Sequence, residues 1–425
     1  MESLKQNLGL EVEIDGWVYN IRSSGAILFL LIRDGTGIVQ CIASKKELPP
    51  DAFLSAKKLT QESSLIVRGR VREDARAPGG VELDLCDIQV GQIAEEYPIS
   101  LKEHGVAFLM ENRHLWLRSS RQHAILRIRA TIIKAMRDFM DDRSFLLVDS
   151  PILTPAAAEG TSTLFSVDYF GQPAYLSQSG QLYNEATCIA FGKTYCFGPA
   201  FRAEKSSTRR HLTELWMLEP EAAYFTFEDN LRLQEDLVCF IVEQVLEKRK
   251  RELESLERDI TKLESIQPPF PRLTYDQALE ILQAEGQPLP WGEDFGAPHE
   301  QILSARYQKP LFVTHFPACC KAFYMQPDPQ RPEVTLSADL LAPEGYGEII
   351  GGSERIHSLA LLEKRIQEHE YPPEIYHWYL DLRRYGSVPH AGFGMGVERT
   401  VAWLCHLEHI RESIPFPRML ERIYP

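Results

Sequence analysis

Residues 392–399 read Gly392-Phe393-Gly394-Met395-Gly396-Val397-Glu398-Arg399 and run directly into an apolar-periodic segment, Thr400–Leu407. Glycines at i, i+2 and i+4 of a strand share one face, so that face carries no side chains, while Phe393 and Met395 point the other way into a core. A sheet with one bare face lets a flat ring lie against the backbone, with Arg399 entering from the first turn of the following helix. A strand bared only for tight packing has the same spacing. The pattern is not the dinucleotide-binding Gly-x-Gly-x-x-Gly, because Val397 stands where the third glycine belongs. No Gly-x-x-x-x-Gly-Lys phosphate loop occurs either.

A second constellation begins at Phe201-Arg202-Ala203-Glu204, continues through the polar loop Lys205–Thr213 and returns through Glu219-Pro220-Glu221. Strand signals over Thr194–Glu204 and Leu215–Phe225 make this a hairpin. Arg202 and Glu204 then project together, as do Glu219 and Glu221, with Lys205, Arg209, Arg210 and His211 in the loop between. Cations and carboxylates gathered on one face are costly unless they meet a ligand or one another. A planar guanidinium suits a phosphate, and a carboxylate suits an amine or a base-edge N–H; a surface salt-bridge ladder is the plainer alternative. A third stretch, Gly347-Glu348-Ile349-Ile350-Gly351-Gly352-Ser353-Glu354-Arg355, puts an acidic residue on a strand near a glycine turn, where it can hold Mg²⁺ bridging phosphates.

Ahead of these, residues 11–90 carry strand patterns at Val12–Ile21, Ile27–Arg33, Ile38–Ile42, Ser64–Val71 and Val81–Val90. Val81, Leu83 and Leu85 alternate with Glu82 and Asp84, and turn chemistry sits at Asp34-Gly35 and at Ala77-Pro78-Gly79-Gly80. Five short strands in a module of this size fit an OB-type barrel, a common binder of single-stranded nucleic acid, although other small β folds share the pattern. Residues 1–93 are assigned to this module, 94–117 to a linker and 118–425 to a second domain. Within the second domain a helix is expected over Arg121–Arg143, from the spacing of Ile125, Ile128, Ile132, Met136, Phe139 and Met140. A further charged helical stretch covers Glu228–Glu264 and includes Lys248-Arg249-Lys250-Arg251; that run reads as a solvated face or as a nucleic-acid contact. Residues 267–298, rich in proline and glycine, are expected to be irregular, and about 228–298 to be an insertion. The fold class is therefore α+β.

Taken together, these stretches resemble the three signature motifs of class II aminoacyl-tRNA synthetases: the helix leading to Pro151 is similar to motif 1, the hairpin 201–221 to motif 2, and residues 392–399 to motif 3. The resemblance spans essentially the whole chain, and an OB module placed first is typical of the aspartyl, asparaginyl and lysyl subgroup. Phe201–Glu221, Gly347–His357, Asp381–Arg399 and His409–Arg418 look specifically asparaginyl. The resemblance implies a six-stranded antiparallel sheet flanked by helices, a homodimer built through motif 1, and ATP, L-asparagine, Mg²⁺ and tRNA(Asn) as ligands. It implies that Arg202 neutralises the α-phosphate and that Glu204 reads the adenine amino group or the tRNA acceptor end. Arg210 and His211 are expected at the phosphates, Arg399 at adenine and the γ-phosphate, Gly396 and Leu215 in the ATP site, and Glu348 on Mg²⁺. Glu159, Ser179, Gln181, Glu219 and Arg355 match positions lining the amino-acid pocket. Phe29 and Gln40 match positions that stack on and hydrogen-bond an anticodon base, although Phe29 also fits a barrel core. Where the family usually has a phenylalanine that stacks on adenine, this chain has Leu215.

Asparagine and aspartate differ mainly in charge. Aspartyl enzymes have a lysine at the end of Gln-Ser-Pro-Gln-Leu-Tyr-Lys, paired with the substrate β-carboxylate. Here the stretch is Gln178-Ser179-Gly180-Gln181-Leu182-Tyr183-Asn184, so that cation is absent. A desolvated β-carboxylate without its partner is strongly disfavoured, whereas an amide can donate to Glu219 and accept from Arg355. An aspartyl enzyme and a tRNA-independent paralogue that makes asparagine remain as alternatives; Asn184 opposes the first and the OB module the second. A non-catalytic RNA-binding protein is opposed by the presence of Arg202, Glu204, Glu348 and Arg399.

Composition adds exclusions. A net charge of −14 over 425 residues argues against indiscriminate polyanion binding but not against a local basic surface. The N-terminal residues have neither a basic leader nor an apolar stretch, and no apolar run reaches about 18 residues, so a cytoplasmic protein is expected. Eight cysteines without a C-x-x-C pair read as reduced thiols.

Overall fold

The computed structural model describes residues 4–100, 102–155 and 163–425. The chain divides into two compact units, Met1–Leu109 and Met110–Pro425. In the first, strands β1 (Glu11–Ser24), β2 (Ile27–Arg33), β3 (Ile38–Ser44), β4 (Ser64–Glu73) and β5 (Val81–Gln92) close into a barrel in the order β1-β2-β3-β5-β4. Alternation decides which side faces in. Along β2, Leu28, Leu30 and Ile32 are buried while Ile27, Phe29, Leu31 and Arg33 face outward and stay half-buried. Val18, Leu30, Ile32, Cys41, Val67 and Leu83 fill the interior at 0–1 % exposure, each such side chain contributing about 1.5–3 kcal/mol. A helix that the sequence reading did not anticipate, Pro50–Ala56, adds Phe53 and Ala56 to this core.

The second unit contains β6 (Leu146–Leu147), β7 (Leu153–Thr154), β8 (Ser166–Tyr169), β9 (Gln172–Leu176), β10 (Lys193–Phe201), β11 (Glu214–Ala223), β12 (Arg272–Thr274), β13 (Leu311–Thr314), β14 (Ser337–Ala342), β15 (Gly347–Glu354) and β16 (His390–Gly396). The main sheet runs β12-β13-β14-β15-β16-β11-β10-β6. The expected six antiparallel strands are β13 to β10 in that order, and two short strands, β12 and β6, extend the edges in parallel. Strands β7, β9 and β8 form a separate small sheet.

Two long helices cover one face. Ser120–Asp142 is capped by Ser119, whose hydroxyl accepts from the Gln122 N–H, and Phe227–Ser255 begins with a reciprocal capping box between Thr226 and Asp229. Ile125, Ile128, Ile132, Met136 and Phe139 from the first helix meet Leu237, Ile241 and Val245 from the second, over Leu218, Ile350, Phe393 and Met395 of the sheet. Because Phe393 and Met395 fill this core, Gly392, Gly394 and Gly396 look out from the opposite face.

The expected helix over 228–264 is two helices, Phe227–Ser255 and Ile260–Glu264, separated by a turn in which Glu257 has φ 58°. Within the basic run, Arg249 leaves helical geometry (φ −131°) and donates to Thr131 Oγ1 at 2.7 Å, so it serves packing between the two long helices. Residues 267–298, expected to be irregular, hold β12 and the helix Tyr275–Ala284, which opens with a capping box between Thr274 and Gln277. Proline and glycine concentrate at the ends of that segment, which hid the short helix between them. Tyr275, Ala278 and Leu282 bury against Leu311, Val313 and Phe316. Among the described residues no helix is long and apolar enough to cross a membrane.

Candidate active site

The bare face is formed where β16 lies between β11 and β15. Met217 pairs with Gly396 and Leu218 with Met395 on one side, and Gly351 pairs with Gly394 on the other. The three glycines do not leave equal space. A Cβ at Gly392 would overlap the Glu221 carboxylate and the Pro220 carbonyl, so that position is bare because a neighbouring carboxylate already occupies it. A Cβ at Gly394 would meet only side chains, the end of Met217 at 2.6 Å and Glu219 at 3.8 Å, and one at Gly396 only the Arg399 side chain at 3.9 Å, so no backbone covers either position. Two adjoining cavities meet there, one of about 430 Å³ and one of about 170 Å³, sharing Arg202, Met217, Glu348 and Gly394 on their walls.

The smaller cavity brings together Arg202, Arg210, His211, Leu215, Glu348, Gly396 and Arg399, residues spread over nearly two hundred positions. Arg202, just past the end of β10, donates to the Gln178 carbonyl and, from Nη2, to Met217 Sδ at 3.9 Å. Arg399 donates from Nη1 to the Glu348 main-chain carbonyl (2.9 Å) and to Glu348 Oε2 (2.7 Å). Arg210 donates to the Gly345 carbonyl and lies 3.4 Å from Glu300 Oε2. Burial lowers the proton affinity of Arg210 and of His211 below their ordinary values. Nε2 of His211 and both carboxylate oxygens of Glu204 are buried without a hydrogen-bond partner among the described residues. Unsatisfied polar atoms of this kind are expected where a ligand supplies the missing partner. Glu204 itself does not line the smaller cavity. It lines a separate groove of about 640 Å³ with Phe165, Phe201, Lys205, Arg418 and Arg422.

Beside the cavities lies a charged cluster that sequence reading only partly found. Glu348 was expected; Asp339, Lys321, Asp294 and Glu300 were not. Lys321 Nζ sits 2.8 Å from Asp339 Oδ2, 3.3 Å from Asp294 Oδ1 and 3.9 Å from the Phe316 ring centroid. Burial pushes the Asp339 carboxyl up to about 7 against the pull of Lys321, with Glu348 adding repulsion. Glu348 is held below its ordinary value because Arg399 and Lys321 outweigh its loss of solvent. A Cβ placed on Gly351 would come 2.9 Å from Glu348 Oε1 and 3.6 Å from Asp339 Oδ1, so the missing side chain leaves a gap between two carboxylates. Hard oxygen donors around such a gap suit Mg²⁺, which commonly takes one or two carboxylates and completes its shell with phosphate and water. Among the described residues no group of three or more His, Cys, Asp or Glu could hold a metal by itself.

The larger cavity collects Ser179, Gln181, Glu219 and Arg355. Glu219, 5 % exposed, accepts from the Ser179 hydroxyl, from the Gly180 N–H at 2.9 Å and from the Cys196 thiol at 3.4 Å. Among the described residues no cation pairs with it. Arg355 is fixed from behind: Nε and Nη2 donate to Glu221, Nη1 to Ser353 Oγ (2.8 Å) and Nη2 to Gln181 Oε1 (2.5 Å). Gln181 in turn donates to Glu185 (2.9 Å) and Glu221 (3.0 Å). Glu185, fully buried, also meets Arg383 at 2.5 Å, the Tyr379 hydroxyl at 2.6 Å and His390 Nε2 at 2.9 Å. Burial opposes ionisation of Glu185, but Arg383 and His390 hold its carboxyl far below the usual range. Asn184, on the same helix, donates from Nδ2 to the Glu219 main-chain carbonyl at 2.7 Å and does not enter the cavity wall. Glu159 lies outside the described residues.

On the barrel, Phe29 faces outward from β2 and is not part of the core. The Arg22 guanidinium lies 6.0 Å from its ring centroid. Gln40, across from Leu31, accepts from Arg22 at 3.4 Å and donates to Glu82 Oε2 at 2.7 Å. Ring, amide and cation therefore share one outer surface of β1–β3.

Residues 106–420 match the family described as tRNA synthetases class II (D, K and N), and residues 12–90 match the OB-fold nucleic acid binding domain. The chain is 61 % identical to an asparagine–tRNA ligase of Desulforamulus reducens, covering 99 % of this chain and 98 % of that protein. It is 59 % identical, over all of this chain and 99 % of its relative, to an asparagine–tRNA ligase of Symbiobacterium thermophilum. Among solved structures, the asparaginyl-tRNA synthetase of Pyrococcus horikoshii complexed with asparaginyl-adenylate superposes with a TM-score of 0.95 at 47 % identity, covering 99 % of this chain and 97 % of that one. An aspartyl-tRNA synthetase of Entamoeba histolytica superposes with a TM-score of 0.84 at 28 % identity, covering 100 % and 92 %.

Proposed function

The chain belongs to the class II tRNA synthetases of the D, K and N group, and we propose on that premise that it ligates asparagine to tRNA(Asn). ATP converts L-asparagine to asparaginyl-adenylate with release of pyrophosphate, and the amino acid then passes to the 3′ end of the tRNA. The observation that carries the choice of asparagine is the charge of the larger cavity. Glu219 brings a buried carboxylate with no paired cation, Arg355 is already neutralised by Glu221, and Asn184 contributes no positive charge. A neutral amide can donate to Glu219 and accept from Arg355; a β-carboxylate meets repulsion without a partner. Discrimination by charge alone needs no editing domain.

In the first step a carboxylate oxygen of asparagine bonds to the α-phosphorus as the bond to pyrophosphate breaks in line. In the second, the terminal ribose 3′-OH attacks the mixed anhydride and AMP leaves. Neither step needs a protein nucleophile, so the chain acts by positioning and by stabilising charge. Arg202 serves the α-phosphate at the junction of the two cavities; Arg399, with Arg210 and His211, serves the outer phosphates and adenine, over Gly394 and Gly396. Leu215 gives the base apolar contact without a π face. Asp339 and Glu348 are the residues that would hold Mg²⁺, which when bound supplies charge neutralisation to the phosphates. The barrel reads the anticodon through Phe29 and Gln40, and Glu204, which lines a groove apart from the nucleotide cavity, serves the acceptor end of the tRNA. Exposed Leu146, Ile152 and Leu153, which follow the helix Ser120–Asp142, support a homodimer through motif 1, and the protein works in the cytoplasm.

ATP–pyrophosphate exchange measured with asparagine or aspartate, with and without tRNA, followed by a tRNA-charging assay, tests this reading. Asparagine-dependent exchange that needs no tRNA, together with charging by asparagine, is expected. Exchange with aspartate alone assigns the aspartyl activity, and asparagine synthesis without charging assigns the paralogue.

A further inference from the structure

Arg210 has a seat that none of the three motifs supplies. It consists of the Gly345 carbonyl, which accepts from Nη2, and the carboxylate of Glu300, 3.4 Å from Nη1. Glu300 lies in the first turn of the helix Ala297–Ala305, where exposed N–H groups favour a negative charge, and its side chain is 14 % exposed. The same carboxylate oxygen accepts from the main-chain N–H of Glu348 at 3.0 Å. The carbonyl and carboxylate of Glu348 are in turn gripped by Arg399. Glu300 is thus an acidic side chain that holds the loop of the 201–221 hairpin and also braces the strand against which Arg399 rests.

The backbone has been cleared to make this possible. Gly347 has φ +74°, a conformation that side chains other than glycine adopt only with strain, and a Cβ there would overlap both Glu300 Oε2 and Arg210 Nη1. Two independent features, a positive φ and a vacated volume, therefore coincide where the two charged groups meet.

We infer that Glu300 is a positioning residue for ATP, seating Arg210 above the nucleotide cavity and fixing the Glu348 peptide against Arg399. The inference rests on the assignment of that cavity to ATP. Glu300 touches no reacting atom; it acts by restricting where Arg210 can be when the phosphates arrive. An arginine on a loop otherwise spends rotamer entropy on binding, and an acidic seat reduces that cost before the ligand enters.

The test is ATP–pyrophosphate exchange with Glu300→Ala, Glu300→Gln, Arg210→Ala and the double variant Glu300→Ala/Arg210→Ala. Glu300→Ala should raise the KM for ATP about tenfold, the scale of one charge-assisted hydrogen bond, with the KM for asparagine within about twofold of wild type. Glu300→Gln keeps one oxygen able to accept from both Arg210 and the Glu348 N–H, as Glu300 Oε2 does, and should recover most of the loss. If Glu300 acts mainly through Arg210, the losses should be far from additive, with only the smaller brace on the Glu348 peptide separating the double variant from Arg210→Ala alone. Additive losses, an unchanged KM for ATP, or an equal rise in both KM values overturn the inference. Failure of the underlying reading is distinct, because the wild-type protein would then show no asparagine-dependent exchange at all.

Discussion

Replacing Glu219 with glutamine isolates the charge proposed to separate asparagine from aspartate. The carboxylate is fixed by two oxygens, Oε1 toward the Ser179 hydroxyl and Oε2 toward the Gly180 N–H. Glutamine can turn its oxygen to the Gly180 N–H and its NH₂ to Ser179, whose hydroxyl accepts equally well, so the local hydrogen bonds survive. What is lost is one negative charge. Two unit charges about 4 Å apart at an effective dielectric of 20 repel by about 4 kcal/mol. With half of that lost to solvent and to Arg355, at least about 2 kcal/mol remains, so preference for asparagine should fall by about 30-fold and at most about 1000-fold. The assay is kcat/KM for ATP–pyrophosphate exchange with each amino acid on one preparation, so that any cost to folding cancels in the ratio. Asparagine should lose efficiency with its amide acceptor gone, and aspartate should gain. A ratio within twofold of wild type would refute the argument and move discrimination elsewhere in the cavity.

Leu215→Phe should lower the KM for ATP by about threefold to tenfold, since base stacking is worth roughly 1–3 kcal/mol and leucine already supplies part of the contact; equal KM values dismiss a stacking deficit. Phe29→Ala should reduce tRNA charging by at least about fivefold for the same reason, while exchange without tRNA stays at the wild-type rate; equal loss of both points to a damaged barrel. Arg383→Met leaves Glu185 buried without its main cation and should cost about 3–5 kcal/mol in urea unfolding at neutral pH. Because the Glu185 carboxyl lies below its ordinary value in the folded chain, its contribution is present above about pH 4.5 and is lost as pH falls below that. The wild-type advantage over Arg383→Met should therefore shrink on acidification, and a constant difference between pH 7 and pH 4 would contradict the ion-pair account.

The parts of the site legible in the sequence were those with local rules. Alternation located the barrel strands and both arms of the 201–221 hairpin, and the glycine period correctly set Phe393 and Met395 against the helices. Charges whose meaning depends on distant partners were not legible. Asp339, Lys321 and Glu300 sit in stretches without periodic or glycine signals, and become site residues only because β14, β15 and the helix Ala297–Ala305 converge. Gly392 shows the limit of reading period alone, for it shares a face with Gly394 and Gly396 yet is covered by Glu221. The role of Glu185 was hidden for the same reason, since its partners lie on the helix His377–Arg384 and on β16.

The position of β16 has a consequence for how the molecule is made. It follows every other strand in the chain, yet it lies between β15 and β11 near the middle of the main sheet. During synthesis from the N-terminus, the hairpin β10–β11 and the meander β13–β15 each emerge with one unpaired border, and neither can be sealed until residues 390–396 leave the ribosome. Exposed borders of this kind invite pairing with a wrong strand. A nascent chain arrested before Gly396 should accordingly be the species that chaperones hold and that aggregates, while catalytic competence appears abruptly, late in translation.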